Sequence, residues 1–258
     1  MLNKPLKRFG QNYLIDKNII NKIITEINPQ PNDTIIEIGP GRGALTGLLV
    51  HKLKDFSAVE IDRRVIEALS MQYPSLKIIN EDFLKMDLQQ FFKNNRIKIV
   101  GNIPYNITSS IIFKIIENRK FVQESVFMVQ NEVAKRMSAK IRTKDYGILS
   151  VLLSAFGQVE YCFKVSPNVF RPRPNVHSAV VHIRWHSLSF NVSDKLIIQI
   201  VKAAFGNRRK TLKNSLNNSI FNDCDFSKSG IDLSRRAEEL ETKEFIQLAI
   251  AAEQIKSR

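Results

Sequence analysis

Five isoleucines at helical spacing, Ile19, Ile20, Ile23, Ile24 and Ile27, follow Asp16, a side chain suited to capping a helix start. Beyond them the apolar period switches repeatedly between the helical one and the alternation of strands. Thr34 to Ile38, Ser57 to Ile61, Leu76 to Ile79, Ile97 to Val100, Ser125 to Gln130, Val159 to Val165 and Ala179 to Trp185 read as short strands. Helical patterns lie between them: Leu45 toward Leu53, Ile107 to Ile116, a stretch carrying Glu132, Lys135 and Arg136, and Ile148 to Phe156. Strands alternating with helices predict an α/β sheet. From His186-Ser187-Leu188-Ser189 onward the strand pattern stops, and Asp194 to Phe205, Arg209 to Leu216 and Thr242 to Ile255 read as helices only. The expected division is an α/β domain over residues 1–186 and a small helical domain over residues 187–258.

Candidate chemistry collects at the carboxyl ends of the strands, where open α/β sheets bind ligands. The strand ending at Ile38 runs into Gly39-Pro40-Gly41-Arg42-Gly43-Ala44. Closely spaced glycines let backbone approach a ligand at a helix start, and this spacing suits a nicotinamide dinucleotide or S-adenosylmethionine alike. Glu60, with Ile61 beside it, ends the next strand about 20 residues on, where a carboxylate accepts from ribose hydroxyls. Asp62 reads as a solvent-facing or helix-capping carboxylate ahead of Arg63 and Arg64. The third strand ends at Asp82-Phe83, a carboxylate for an adenine amine and a ring to pack beside it; the bland alternative is a cap for the next short helix, with Asp87 competing for that part. A third acidic station favours the methyl donor over a nicotinamide.

Gly101-Asn102-Ile103-Pro104-Tyr105-Asn106 follows the strand ending at Val100. An exocyclic base amine is a poor nucleophile because its lone pair is delocalised into the ring, so two acceptors aimed at its two hydrogens would draw the nitrogen toward tetrahedral geometry. The Asn102 side chain and the Ile103 backbone carbonyl suit those roles, Pro104 fixes the turn and Tyr105 offers a face for stacking. Further on, Val169-Phe170-Arg171-Pro172-Arg173-Pro174-Asn175-Val176-His177-Ser178 is a proline-stiffened loop. It would present Phe170 as an exposed ring, with Arg171 and Arg173, to a flipped base; a core-buried Phe170 is the alternative. Arg208, Arg209, Lys210 and Lys213 cluster at a predicted helix start, where cations oppose the helix dipole, and a phosphate contact accounts for them better.

The chain has 258 residues, 43% of them hydrophobic, and a formal charge of +14. That length carries a full core, and that charge favours a polyanionic partner such as nucleic acid. No apolar run approaches the ~18 residues of a membrane helix, and the basic start lacks the apolar segment of a signal peptide, so a cytoplasmic protein is expected. Cys162 and Cys224 lie far apart with no ligand spacing around them, and the four histidines form none, so neither a disulfide framework nor a metal site is expected.

With these residues in hand, the chain resembles the small-subunit ribosomal RNA adenine dimethyltransferases, the KsgA type, nearly end to end. The segments that carry the likeness are GQNYL, EIGPGRGALT, VEID, EDFL, GNIPYN, VQNEVAKRM, YGILSV, FRPRPNVHS and RRKTLKNSL. The resemblance implies a Rossmann-like class I S-adenosylmethionine-dependent methyltransferase sheet with an all-helical C-terminal domain. It implies transfer of four methyls to two adjacent adenosines in a hairpin near the 3' end of 16S ribosomal RNA, within the pre-30S particle, by a monomeric enzyme releasing S-adenosylhomocysteine. Its cofactor residues map onto Asn12, Leu14, Gly39, Glu60, Asp82 and Asn102, with Gly41, Ile61 and Phe83 alongside. Its target-base residues map onto Asn102, Pro104, Tyr105 and Phe170. Departures are Ile103 where leucine is usual, Arg42 for leucine, Tyr13 for phenylalanine and Ile141-Arg142-Thr143 for Pro-Gly-Ser. Two other classes compete: an RNA-binding assembly factor without catalysis, against which the intact Asn102 to Tyr105 motif argues, and a nicotinamide oxidoreductase, which has only the glycine loop.

Overall fold

A computed structural model describes residues 12–92 and 95–256. Among these, the strands in chain order are β1 (Tyr13–Leu14), β2 (Thr34–Ile38), β3 (Asp55–Val59), β4 (Lys77–Ile79), β5 (Ile97–Asn102), β6 (Val122–Gln130), β7 (Gly157–Val165), β8 (Phe170–Arg171) and β9 (Ser178–Trp185). The helices are α1 (Lys17–Ile27), α2 (Thr46–Leu49), α3 (Arg63–Gln72), α4 (Thr108–Glu117), α5 (Asn131–Met137), α6 (Ile148–Phe156), α7 (Asp194–Phe205), α8 (Leu212–Asn217) and α9 (Thr242–Lys256).

Seven strands form one sheet in the order β4-β3-β2-β5-β6-β9-β7. The first five are mutually parallel, and β9 runs antiparallel to β6. A parallel strand is covered on both faces and therefore reads as a continuous apolar run, which is why Ile35, Ile36, Ile97, Ile99 and Val100 are all at most 1% exposed. α1 is capped by Asp16, whose Oδ1 accepts from the Ile19 amide at 3.0 Å, and ends on Asn28 in the left-handed conformation. It buries Ile23, Ile24 and Ile27 in a core shared with Ile35, Leu49, Val126 and Phe170. α4 buries Ile111, Ile112, Ile115 and Ile116, the stripe that links β5 to β6.

The chain divides into two compact units. One takes the residues up to Ala134 together with Val159–His186 and holds the sheet; the other takes Lys135–Gln158 and the residues from Ser187 onward. The segment 135–158, which the hydrophobic pattern assigns to the first domain, thus groups with the helical unit. There α6 packs against α7 and α9, burying Val151, Leu152, Leu153 and Phe156, and the Tyr146 hydroxyl donates to the Leu240 carbonyl at 2.8 Å. Two other elements differ from expectation. The helix after the glycine loop is a single turn, Thr46–Leu49, and α8 starts at Leu212 because Thr211 is extended and its hydroxyl accepts from the Asn214 amide. Arg208, Arg209 and Lys210 therefore lie in the turn before α8.

Among the described residues no helix is long and apolar enough to cross a membrane, and no group of His, Cys, Asp and Glu could hold a metal ion. Both cysteines, Cys162 and Cys224, are free and partly buried.

Candidate active site

The chain leaves β2 toward β3 and β4, then returns to β5 on the other side of β2. A crevice opens at such a switch point because the two following loops run apart. A cavity of about 180 Å³ lies there. Gly39, Pro40, Gly41 and Arg42 line it from the loop after β2, Glu60 and Ile61 from the loop after β3, and Asn102 to Ile107 from the end of β5. Asn12, Tyr13 and Leu14 complete the lining. They belong to the segment from Lys7 to Asp16, whose mix of basic, aromatic and amide residues is too apolar for a disordered arm and is expected to fold over a ligand; Lys7 to Gln11 lie outside the described residues.

Gly39 and Gly41 have φ of +63° and +54°, the left-handed region that a Cβ disfavours. A Cβ at Gly41 would also sit 2.9 Å from the Tyr13 ring, whereas one at Gly39 would meet nothing within 4 Å, so backbone itself borders the cavity there. Tyr13 is held over this loop with the Arg42 guanidinium 4.7 Å from its ring centre.

Glu60 lies just past β3 and is buried. Its Oε1 accepts from the amides of Ile61 at 2.8 Å and Asp62 at 2.9 Å, which fixes the carboxyl group's direction. Burial raises its pKa, while those amides oppose the rise. Asp62 caps α3, accepting from the Arg64 amide at 3.1 Å, and pairs with the Arg64 guanidinium. Ile61 is 47% exposed and brings apolar surface to the cavity. Glu37 also lines the cavity, a residue that sequence reasoning missed although a carboxylate inside a buried strand is itself a signal. Burial pushes its pKa up to about 7 against the Thr46 hydroxyl, which donates to Oε2 at 2.6 Å.

Asn102 ends β5, and its Nδ2 donates to the Asn12 carbonyl at 2.8 Å. A carbonyl can only accept, so this bond settles which way the amide is turned and leaves Oδ1 as the acceptor end. Pro104 starts a tight turn, its carbonyl accepting from the Ile107 amide and the Thr108 hydroxyl, each at 3.2 Å. Tyr105 is half-buried in that turn, with its phenol oxygen 2.7 Å from Ser178 Oγ. Ile103 lines the cavity beside them with its side chain buried.

The remaining predicted residues are placed differently. Asp82 and Phe83 are absent from the cavity lining. Asp82 instead caps its own turn, Oδ1 accepting from the Leu84 amide at 3.0 Å, and Phe83 is buried. Phe170 is fully buried rather than exposed. The reason is the two-residue ladder in which Leu14 faces Phe170 and Tyr13 faces Arg171, reinforced by the Ile15 amide donating to the Val169 carbonyl at 2.9 Å. Arg171 and Arg173 are exposed. In the helical unit, Arg209, Lys210 and Lys213 are exposed, while Arg208 pairs with Glu238 at 2.9 Å and donates to the Lys144 carbonyl at 2.6 Å.

The donor set suits S-adenosylmethionine: a glycine-bordered opening, one buried carboxyl aimed by two amides, an exposed isoleucine face and an oriented carboxamide. Comparison with known proteins bears on the same question. The family model for Ribosomal RNA adenine dimethylase matches residues 2–254. A relative from Chlorobium phaeobacteroides (strain BS1), named Ribosomal RNA small subunit methyltransferase A, is 44% identical over 242 residues, covering 94% of this chain and 91% of that protein. One of the same name from Xylella fastidiosa (strain Temecula1) is 42% identical and covers 97% of both chains. Among solved structures, a dimethyladenosine transferase from Plasmodium falciparum superposes with a TM-score of 0.78 at 25% identity over 91% of this chain and 95% of that one. The 23S rRNA methyltransferase ErmE shares the fold, with a TM-score of 0.68 at 24% identity over 94% of this chain and all of that one.

Proposed function

The chain belongs to the ribosomal RNA adenine dimethylase family, and from that membership we propose that it transfers methyl groups from S-adenosylmethionine to the exocyclic N6 of adenosines in small-subunit ribosomal RNA. The substrate is the pair of adjacent adenosines in the hairpin near the RNA's 3' end, met in the pre-30S particle in the cytoplasm, and the enzyme acts as a monomer. The observation that carries this reading is the cavity in which the oriented Asn102 amide and the half-buried Tyr105 ring share one lining with Glu60 and the glycine loop.

When bound, S-adenosylmethionine supplies an electrophilic sulfonium methyl and leaves as S-adenosylhomocysteine. Glu60 holds the ribose hydroxyls, Gly39 and Gly41 let backbone approach the cofactor, and Asn12, Leu14 and Ile61 cover it. Asp82 and Phe83 hold the adenine end after the Asp82 side chain turns from its capping bond. The Asn102 Oδ1 and the Ile103 carbonyl accept the two hydrogens of the target amine, drawing its lone pair out of conjugation and toward the methyl. Pro104 sets the bend that brings these acceptors together, and Tyr105 stacks on the base. Phe170 supports the base from the other side once its cover, Tyr13 and Leu14, shifts. The methylated nitrogen is acidic enough to pass its proton to water, so no general base is required. Arg171 and Arg173 in the first unit, and Arg208, Arg209, Lys210 and Lys213 in the second, contact RNA phosphates.

The test is mass mapping of methylated nucleosides on small-subunit RNA from cells lacking the protein, before and after incubation with purified enzyme and cofactor. Dimethyladenosine absent at first and restored at the two hairpin positions is expected. Unmethylated RNA after incubation, with the protein still bound to the particle, would refute the enzymatic reading in favour of an assembly factor.

A further inference from the structure

Ser178 and Asn131 belong to the sequence motifs FRPRPNVHS and VQNEVAKRM, and neither residue has a part in the reaction so far. Both sit at the carboxyl end of β6. Ser178 opens β9, pairs with Gln130 and is fully buried. The preceding carbonyl, that of His177, accepts from the Asn131 amide at 3.0 Å, and Asn131 Oδ1 accepts from the Tyr161 hydroxyl at 2.6 Å. The β6–β9 ladder on one side and the Asn131 clamp on the other thus hold the Ser178 hydroxyl on a rigid frame. That hydroxyl lies 2.7 Å from the Tyr105 phenol oxygen, 73 residues away in sequence.

We propose that Ser178 is the positioning residue that holds the Tyr105 ring in its base-stacking pose, with Asn131 anchoring Ser178. The inference rests on the reading of Tyr105 as the stacking ring. Tyr105 sits in a short turn with two rotatable side-chain bonds, and a stacking platform must be fixed in direction before the base arrives. In a tyrosine, Cβ, Cγ, Cζ and the oxygen are collinear, so pinning the oxygen fixes the direction of the ring axis. The preference of the phenol O–H for the ring plane then biases rotation about that axis. Either hydroxyl can donate, and the buried Ser178 hydroxyl left without a partner would be penalised, so the ring has one favoured place. Burial raises the Tyr105 pKa while the Ser178 bond opposes it, and the phenol is neutral throughout the neutral range.

The experiment is a double-mutant cycle on the full-length enzyme, reading single-turnover methylation at subsaturating RNA, with S-adenosylmethionine affinity by calorimetry and thermal stability measured alongside. Ser178→Ala and Tyr105→Phe each remove the same hydrogen bond and should each slow methylation about fivefold, the worth of one neutral bond. The double variant should be no slower than either single, and cofactor affinity should be unchanged. Wild-type rates in both single variants, or losses that multiply in the double variant, would overturn the proposal; multiplied losses would mean that Ser178 acts only on the strand. Tyr105→Ala separates the two readings. If it loses tenfold or more while Ser178→Ala and Tyr105→Phe lose nothing, the positioning role fails alone; if it also keeps the wild-type rate, the stacking role of Tyr105 fails with it.

Discussion

Replacing Gly101 by alanine probes the spacing on which the site depends. A Cβ there would lie 2.5 Å from the Ile38 carbonyl oxygen, 3.3 Å from its nitrogen and 3.4 Å from its carbonyl carbon. All are backbone atoms of β2, one residue before Gly39, so no change of rotamer relieves the overlap. Ordinary contact begins at 3.4 Å, and β2 and β5 would have to part by roughly 0.9 Å, the difference between 2.5 and 3.4 Å. Overpacking of this kind costs about 1–3 kcal/mol of stability. The parting falls between the glycine loop and Asn102, and a misplacement of about 1 Å between reacting groups costs on the order of a hundredfold in rate. Chemical denaturation should therefore register the stability loss, and single-turnover methylation should fall by much more than stability alone explains. Gly101→Ala with wild-type stability and wild-type rate would refute the idea that close approach of β2 and β5 sets the geometry.

Glu60→Gln keeps the acceptor for the Ile61 and Asp62 amides but makes the other end a donor, and calorimetry should show S-adenosylmethionine affinity reduced about tenfold or more; unchanged affinity would remove Glu60 from the ribose. Glu124 is held down to about 2 by its hydrogen bond from His182 and by Lys98, against burial, and Lys98 also pairs with Asp33 at 2.9 Å. A carboxyl depressed in the folded state stabilises above its unfolded pKa and loses that contribution as pH falls, so roughly 3 kcal/mol should disappear between about pH 4.5 and 2. Thermal melts across that window should flatten in Glu124→Gln, and an unchanged slope would contradict the assignment. Binding to ribosomal RNA should weaken steeply with salt, and reversing Arg209, Lys210 and Lys213 to glutamate should lower the slope by about one per lost contact with cofactor affinity intact.

How much of this was legible in the sequence depended on the range of the forces involved. β2, α6 and α7 appear at the residues their apolar patterns predict, because a covered strand or an amphipathic helix declares itself locally. The places of Glu60 and Asn102 were readable for the same reason: each lies at a recognisable strand end. Phe170 was not, because a two-residue ladder with Tyr13 and Leu14, far off in sequence, decides whether the ring is covered. Asp82 offered two local roles, and the capping bond to Leu84 is the one observed. α8 starts three residues later than its pattern predicts: Arg209 and Lys210 are good helix formers, yet the Thr211 cap takes precedence. Nothing local marked segment 135–158 for the helical unit, since an apolar helix such as α6 can be buried in either. The contact of Ser178 with Tyr105 gave no signal, the two being 73 residues apart.

In the proposed mechanism Asn102 lowers the barrier by accepting a hydrogen bond that strengthens as the target amine becomes tetrahedral. Single-turnover methylation by Asn102→Ala, at saturating cofactor and RNA, tests it most directly. Loss of one preorganised polar contact of this kind costs roughly 3 kcal/mol, so the rate should drop on the order of a hundredfold or more while RNA remains bound. Methylation at the wild-type rate would contradict the account and give the catalytic role to another group.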